Sequence, residues 1–529
     1  MATYAPSPAW ELRARALADT RVAAPLGIGL LLALSLALRT VNLGAGLWID
    51  EGLSAGIADR PLADIPGVLR RDGSPPLYYM LLHVWIGVAG RSEEGLHTLS
   101  VLFALATVPV AFWAGGLLFD RRTAWVAALL AAVNPFLTLY AQEARMYALV
   151  ILLGLVATTC WARAFCVDPP EDGRSVRRGP ALGFAAALAA MLYTHNWALF
   201  FGMATGLAFL GLVWRAHGGE RRRLLRTGLE GYGGTALLYA PWVPSVLYQA
   251  ANTGAPWSKA PSLQTLTEVP ARLLGIEAEI ALLLVGGAGL VAIVGGRAAG
   301  RLTSQGRTVV GLLAVGVLTI LLAWLSSQLS PAWANRYLSS GLAPFLLLSA
   351  AGLAHAGRLG LAGLAIVVLL WVGEAPPAEK SNARAVSREI EPSLRPGDLV
   401  VVTQPEQVSV LHYYLPAGLH YATLTGPVPD VGVTDWRDGV DRLRAASPER
   451  ELAPLLDALP AGRRVVLMQP IFYYIGRWNA PWNEQVREQS RAWEQHLSND
   501  PRFGVTLEAP AEPYPSRPNP VRATVFLKR

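Results

Sequence analysis

Two adjacent acids, Asp50 and Glu51, follow the run Leu47-Trp48-Ile49 a few residues beyond the first long hydrophobic segment. A carboxylate placed there is able to take a proton from a hydroxyl as a general base. Further polar groups recur beside later hydrophobic segments. Asp72 precedes Gly73-Ser74-Pro75-Pro76-Leu77-Tyr78-Tyr79, and Glu143 and Arg145 lie in Tyr140-Ala141-Gln142-Glu143-Ala144-Arg145-Met146-Tyr147. His195 sits in Tyr193-Thr194-His195-Asn196-Trp197, and Arg336 and Tyr337 close Pro331-Ala332-Trp333-Ala334-Asn335-Arg336-Tyr337. An arginine neutralises a phosphate leaving group through a planar, paired contact. Aromatic rings pack against a sugar or a lipid tail. Together these types suit attack by a hydroxyl on an activated sugar.

Each residue also has a plainer explanation. Asp50 and Glu51 fit a helix cap, and Asp72 before Gly73 fits a turn. Glu143 and Arg145 fit a weak ion pair at the membrane surface. His195 fits an interfacial side chain at a helix end. Arg336 and Arg39 fit cations reaching toward lipid headgroups, the preferred reading for Arg39. Tyrosines and tryptophans near segment ends fit the aromatic belt of a membrane protein.

The elements that must position these residues are hydrophobic. The 529-residue chain is 53% hydrophobic and 16% charged, against about 25% charged in soluble domains, and its mean hydropathy is +0.35. The excess lies in residues 22–373, whereas 374–529 is ordinary mixed sequence. A span needs roughly 20 apolar residues. The candidates are 22–43, 96–118, 123–141, 146–165, 180–194, 197–214, 228–248, 278–297, 308–328, 338–355 and 359–373. The apolar stretch 77–90 is short and is assigned to the interface.

Arginines decide that assignment. Arg13, Arg15 and Arg21, then Arg121/Arg122, Arg174/Arg177/Arg178, Arg215/Arg221/Arg222/Arg223/Arg226, Arg297/Arg301/Arg307 and Arg358, belong on one cytoplasmic side. About eleven spans achieve this when 77–90 does not cross. The net charge of +7 is then topology, not a nucleic-acid surface. The first span reads as uncleaved, with 1–21 in the cytoplasm. The loop 44–95 and the tail 374–529 face outward, and all the polar residues above share that outer side. The expected location is an inner or plasma membrane. Gly286, Gly287, Gly289, Gly295 and Gly296 read as helix-packing residues. Cys160 and Cys166 read as inert thiols.

The ordered run of Leu38-Arg39, Trp48-Ile49-Asp50-Glu51, Asp72, Pro75-Pro76-Leu77-Tyr78-Tyr79, Gln142 to Tyr147, and Arg336-Tyr337 before Pro344 resembles the GT-C superfamily of polyprenyl-phosphate-sugar glycosyltransferases. The branch it resembles is that of protein O-mannosyltransferases and aminoarabinose transferases. The likeness implies a polytopic α-helical membrane enzyme with an extracytoplasmic active site. It implies inverting transfer of a mannose or pentose-like sugar from a polyprenyl phosphate to a glycan, lipid or protein. Asp50 matches the base, and Glu51 supports it or binds acceptor, so the pair is assigned to catalysis. Arg336, Tyr337 and Arg145 are assigned to the donor phosphate. Asp72, Tyr78, Tyr79, Glu143 and His195 are assigned to substrate. The branch works without a metal, although Asp50, Glu51 and Glu143 offer oxygen ligands for one. The competing readings are a flippase for lipid-linked sugars and an oligosaccharide ligase with a diphosphate donor.

The tail reads as a small α/β domain. A helix is expected over 381–394, strands at 398–403, 464–468 and 521–527, and a polar helix over 482–498. Phe472, Tyr473, Tyr474, Trp478 and Trp482 offer an acceptor platform, with core and domain contact the preferred reading.

Overall fold

The computed structural model describes residues 23–167, 178–298, 301–374, 376–472, 476, 478–510 and 520–529. The N-terminal arginines, Arg174, Arg177, Tyr473 and Tyr474 lie outside the described residues. Among the described residues, six helices are long and apolar enough to cross a membrane. A seventh span is formed if Arg121–Val133 and Pro135–Ala141 count as one, bent by 48°. The bend is local chemistry. Pro135 has no N–H to continue the helix, and Asn134 caps the second piece by accepting from the Leu137 amide at 2.9 Å.

Ala23–Arg39 (α1), Arg178–Leu192 and Gly357–Val372 are apolar but shorter. The expected span 228–248 is a succession of short helical pieces from Leu229 to Asn252, with Pro241 and Pro244 within it. The expectation of about eleven spans is therefore more than helix length alone supports. Leu237, Leu284, Val291 and Leu369 stand exposed on these elements, as suits a surface bathed in hydrocarbon.

The first loop is helical, with Ile49–Ala58 (α2), Ile65–Asp72 (α3) and Leu77–Ala89 (α4) before Glu93–Leu118 (α5). Acids in its first turn suit the α2 N-terminus, and Glu51 accepts from the Trp48 amide at 3.3 Å. The α3 helix stops at Gly73, whose φ of +97° is open to glycine without strain.

The tail folds around a six-stranded mixed sheet. Its strands are Leu399–Val402 (β1), His420–Thr423 (β2), Gly426–Pro427 (β3), Arg464–Pro470 (β4), Phe503–Ala509 (β5) and Val521–Lys528 (β6), in the order β3-β2-β1-β4-β6-β5. β1 runs parallel to β2 and β4, while β6 is antiparallel to β4 and β5. Full burial explains the unbroken apolar run of β1. Helix Pro481–Asn499 packs Trp482, Val486, Trp493 and Leu497 beneath the sheet.

The sheet domain does not hang free. Asn42 donates to the Pro376 carbonyl at 2.8 Å, and Ser381 donates to the Leu47 carbonyl at 2.9 Å. Tyr414 accepts from the Leu47 amide at 2.7 Å. Gly52 and Gly56 let α2 lie directly against Val410 and Gly432.

The glycines of the 278–295 helix separate by role. A Cβ on Gly289 would run into the carbonyl oxygen of Gly352 on Leu342–His355, whereas one on Gly295 would meet nothing within 4 Å. Overpacking costs about 1–3 kcal/mol. Gly289→Ala is therefore expected to lower thermal stability in detergent, with Gly295→Ala unchanged; equal behaviour of the two would contradict this packing.

Candidate active site

Asp50, Asp72, Arg145, His195, Arg336 and Tyr337 line one cavity of about 1050 Å³ between the membrane domain and the sheet domain. Asp50 is its charged centre. One carboxylate oxygen, Oδ2, lies 3.5 Å from Arg336 and 3.9 Å from Arg145.

The two arginines are held differently. Arg145 donates to the Tyr79 hydroxyl at 3.0 Å, to Ser54 at 3.2 Å and to the Asp50 carbonyl at 3.3 Å. It turns to Asp50 rather than forming the surface pair with Glu143 that was the plainer alternative. Arg336 lies among the rings of Trp48, Trp257 and Tyr337, each centred 5.3–5.4 Å from its guanidinium carbon. Its Nε is buried without a hydrogen-bond partner. An arginine caged by rings and paired to one carboxylate oxygen keeps N–H groups for an incoming anion.

Three segments of the chain close this side of the cavity. Asn196 donates to the Gly73 carbonyl at 2.9 Å, and Gln249 donates to the carbonyls of Leu69 at 2.9 Å and Ser74 at 3.2 Å. The Trp197 amide donates to Nδ1 of His195 at 3.1 Å. That bond leaves the ring proton on Nε2. Burial, with Arg145 and Arg336 nearby, lowers the imidazole to about 3, so His195 is a neutral donor at physiological pH. Burial raises Asp72 to about 6 despite Ser74 and Arg145.

Glu51 lies elsewhere. It has no solvent exposure and does not line the cavity. Its Oε1 accepts from Lys380 at 2.5 Å and from the Ala144 amide at 2.8 Å, and meets His97 Nε2 at 2.8 Å. Lys380 also donates to the Gln142 carbonyl at 2.6 Å. Burial alone would push Glu51 up; Lys380 and His97 outweigh it and hold the group well below the usual carboxylate range. The capping explanation thus fits Glu51, and the cavity explanation fits Asp50.

Tyr78 and Tyr79 are fully buried and Glu143 nearly so, and none of the three lines the cavity. Tyr78 bonds Ser100 and Tyr79 bonds Arg145. Burial, with Glu51 nearby, pushes Glu143 up to about 8. Arg39 is a buried strut, not a headgroup anchor. It donates to Ser35 at 2.5 Å and to the carbonyls of Ala104 at 2.8 Å and Ala131 at 2.6 Å. Cys160 and Cys166 are buried free thiols. Among the described residues, no three His, Cys, Asp or Glu side chains are grouped to hold a metal ion.

His97 and Lys380 escaped the sequence reading. One signal was present: Lys380 is one of three lysines among 45 basic residues. A compact ammonium fits a point charge where an arginine fork does not.

The chain matches no family model and no curated protein. Solved structures do match it. ArnT from Cupriavidus metallidurans in the apo state is similar with a TM-score of 0.60 at 14% identity, over 95% of this chain and 98% of that one. An Archaeoglobus fulgidus oligosaccharyltransferase, in complex with Zn and sulfate, is similar at 0.54 and 14% identity, over 93% and 73% of the two chains. Archaeoglobus fulgidus AglB, in complex with an inhibitory peptide and a dolichol-phosphate, reaches 0.54 at 10% identity, over 92% and 73%. The chain has the fold of ArnT and of the oligosaccharyltransferase. It is a multi-pass membrane protein with a C-terminal sheet domain.

Two predictions test the site. Removing one partner of a buried pair costs about 3–5 kcal/mol. Lys380→Met should therefore destabilise strongly, and Glu51→Gln added to it should recover part of the loss in a double-mutant cycle; additive losses would sink the pair. For Asp72, the folded carboxyl holds its proton more tightly than the unfolded one. Its stabilisation is present below the ordinary carboxylate range and is lost as pH rises through about 6. Thermal melts of Asp72→Asn should thus fall less than wild type between pH 5 and pH 8.

Proposed function

We propose that this chain is an inverting glycosyltransferase that moves a sugar from a polyprenyl phosphate to an acceptor hydroxyl on the extracytoplasmic side of the membrane. The observation that carries this is one carboxylate, Asp50, set between two arginines at the wall of a large cavity. A mannose or pentose-like sugar suits the branch that the sequence resembles. The acceptor is a glycan, lipid or protein.

The residues divide the work. The donor phosphate takes Arg336, with Arg145 and Tyr337 beside it, and so frees Asp50 from its ion pairs. Asp50 then accepts the proton of the acceptor hydroxyl. The hydroxyl oxygen bonds to the anomeric carbon while the bond from that carbon to phosphate oxygen breaks. The electron pair leaves on the phosphate, where the guanidiniums neutralise it. A single displacement inverts the anomeric centre. His195 offers a neutral N–H to the phosphate or the sugar. Glu51 positions Asp50 from beneath; it is not itself a reacting group in this reading.

Supports for this reading over a flippase are the placement of a carboxylate against cations and the fold shared with enzymes of sugar transfer. The topology of arginines supports the outer-side placement. The test is transfer from synthetic polyprenyl-phosphate sugars in liposomes. Asp50→Asn should lose about a hundredfold or more in rate while still binding donor; full activity in a folded Asp50→Asn chain would remove the base. Competition by polyprenyl monophosphate, stronger than by diphosphate, is expected here, and the reverse order would favour an oligosaccharide ligase.

A further inference from the structure

We infer that the sheet domain's wall of the cavity is the acceptor subsite, and that it takes the neutral hydroxyl-bearing rings of a glycan. This rests on the transferase reading and narrows its acceptor to one class. The wall contains a built polar site that the transfer step does not use. Glu406 is 7% exposed, yet it lines the same cavity as Asp50. It sits in the short turn after β1, and its carboxylate is fixed from behind. Gln404 donates to its Oε1 at 3.0 Å, and the Trp482 indole donates to both oxygens at 3.2 Å. Each oxygen keeps acceptor capacity for a group on the cavity side.

Indoles flank this carboxylate. Trp436 lines the cavity and is braced by Trp482 at a ring distance of 5.1 Å. Trp478 lines it too, braced edge-on by Phe472 at 4.6 Å. Asn483, in the first turn of Pro481–Asn499, adds a carboxamide that both donates and accepts. Burial pushes the Glu406 carboxyl up and the negative charge of Asp50 adds to this, so the two acids lie within electrostatic reach. Glu406 and Asp50 line the same cavity, so a molecule held at Glu406 shares that space with the group that receives a proton.

The chemistry selects among acceptors. Indole faces cover the apolar faces of sugar rings, while a carboxylate and amides bind their hydroxyls. Among the described residues that line the cavity, the arginines all belong to the membrane domain. A phosphorylated acceptor thus finds an acid on this wall and no cation. A peptide held by strand addition needs an exposed sheet edge for its backbone. The edge strands β3 and β5 contribute nothing to the cavity; its lining here comes from turns, loops and a helix. A neutral glycan needs neither, and rings with a few fixed polar groups suit it.

The test uses the full chain in detergent, with neutral mannose and arabinose oligosaccharides, a serine-containing peptide and an acidic glycolipid as probes. Tryptophan fluorescence should respond saturably to at least one neutral oligosaccharide. Trp478→Ala and Glu406→Ala should each weaken that binding about tenfold, as loss of a stacked ring or a charged hydrogen bond does. Trp478→Phe should restore most of it, and undecaprenyl-phosphate binding should stay within about twofold. The inference is overturned if no neutral oligosaccharide binds, if these substitutions leave its affinity unchanged, or if only the peptide or the glycolipid accepts sugar. Failure of the transferase reading looks different: oligosaccharide binding still responds to Trp478→Ala, but no polyprenyl phosphate is released from any sugar donor.

Discussion

A carboxylate with no access to water must be neutralised where it stands, and Glu51 imposes that demand on everything around it. Its partners come from four places in the chain: the Trp48 amide before α2, His97 on α5, the Ala144 amide, and Lys380 beyond the last membrane helix. Meeting the demand fixes the start of α2, the 142–145 turn and the root of the sheet domain relative to one another. Asp50 and Arg145, the neighbours of these fixed points, inherit their positions. The geometry of the cavity is a by-product of satisfying one buried charge.

Adjacent acids on one helix end consequently have opposite fates. Successive helical residues point about 100° apart, so α2 cannot present both to the same space. Glu51 turns inward to the ammonium, and Asp50 turns outward to two guanidiniums. The same division recurs farther out. Tyr79 and Ser54 hold Arg145 without reaching the cavity, and Trp482 holds Glu406 in the same way. Arg145, Glu406 and Trp436 each line the cavity and are each backed by a residue that does not.

Much of this was legible in the sequence, and the boundary has a physical origin. Hydrophobic runs, the Asp-Gly stop after α3, the packing role of Gly289 and the buried strand at 399–402 are local properties, and local pattern reveals them. The ends of spans and the grouping of Asp50, Asp72, Arg145, His195 and Arg336 followed from topology. What pattern could not reveal was direction around a helix axis and pairing across hundreds of residues. Pattern therefore groups Glu51, Tyr78, Tyr79 and Glu143 with the cavity residues and makes Arg39 an anchor, whereas Arg39 bonds two backbone carbonyls. β2 and β3, of four and two residues, are too brief for pattern to reveal, and β5 is interrupted by a register shift between Val505 and Leu507. His97 and Lys380 carry no motif; only three-dimensional proximity gives them meaning.

The distance in sequence between Glu51 and Lys380, 329 residues, sets an order of events during synthesis. A ribosome finishes α2, and the helices after it enter the bilayer, long before the counterion for Glu51 exists. Until the chain has crossed for the last time, Glu51 is an acid awaiting its base, and α2 has no fixed seat. The cavity thus waits on Lys380 and on the sheet-domain residues that line it, and a chain truncated before them lacks both.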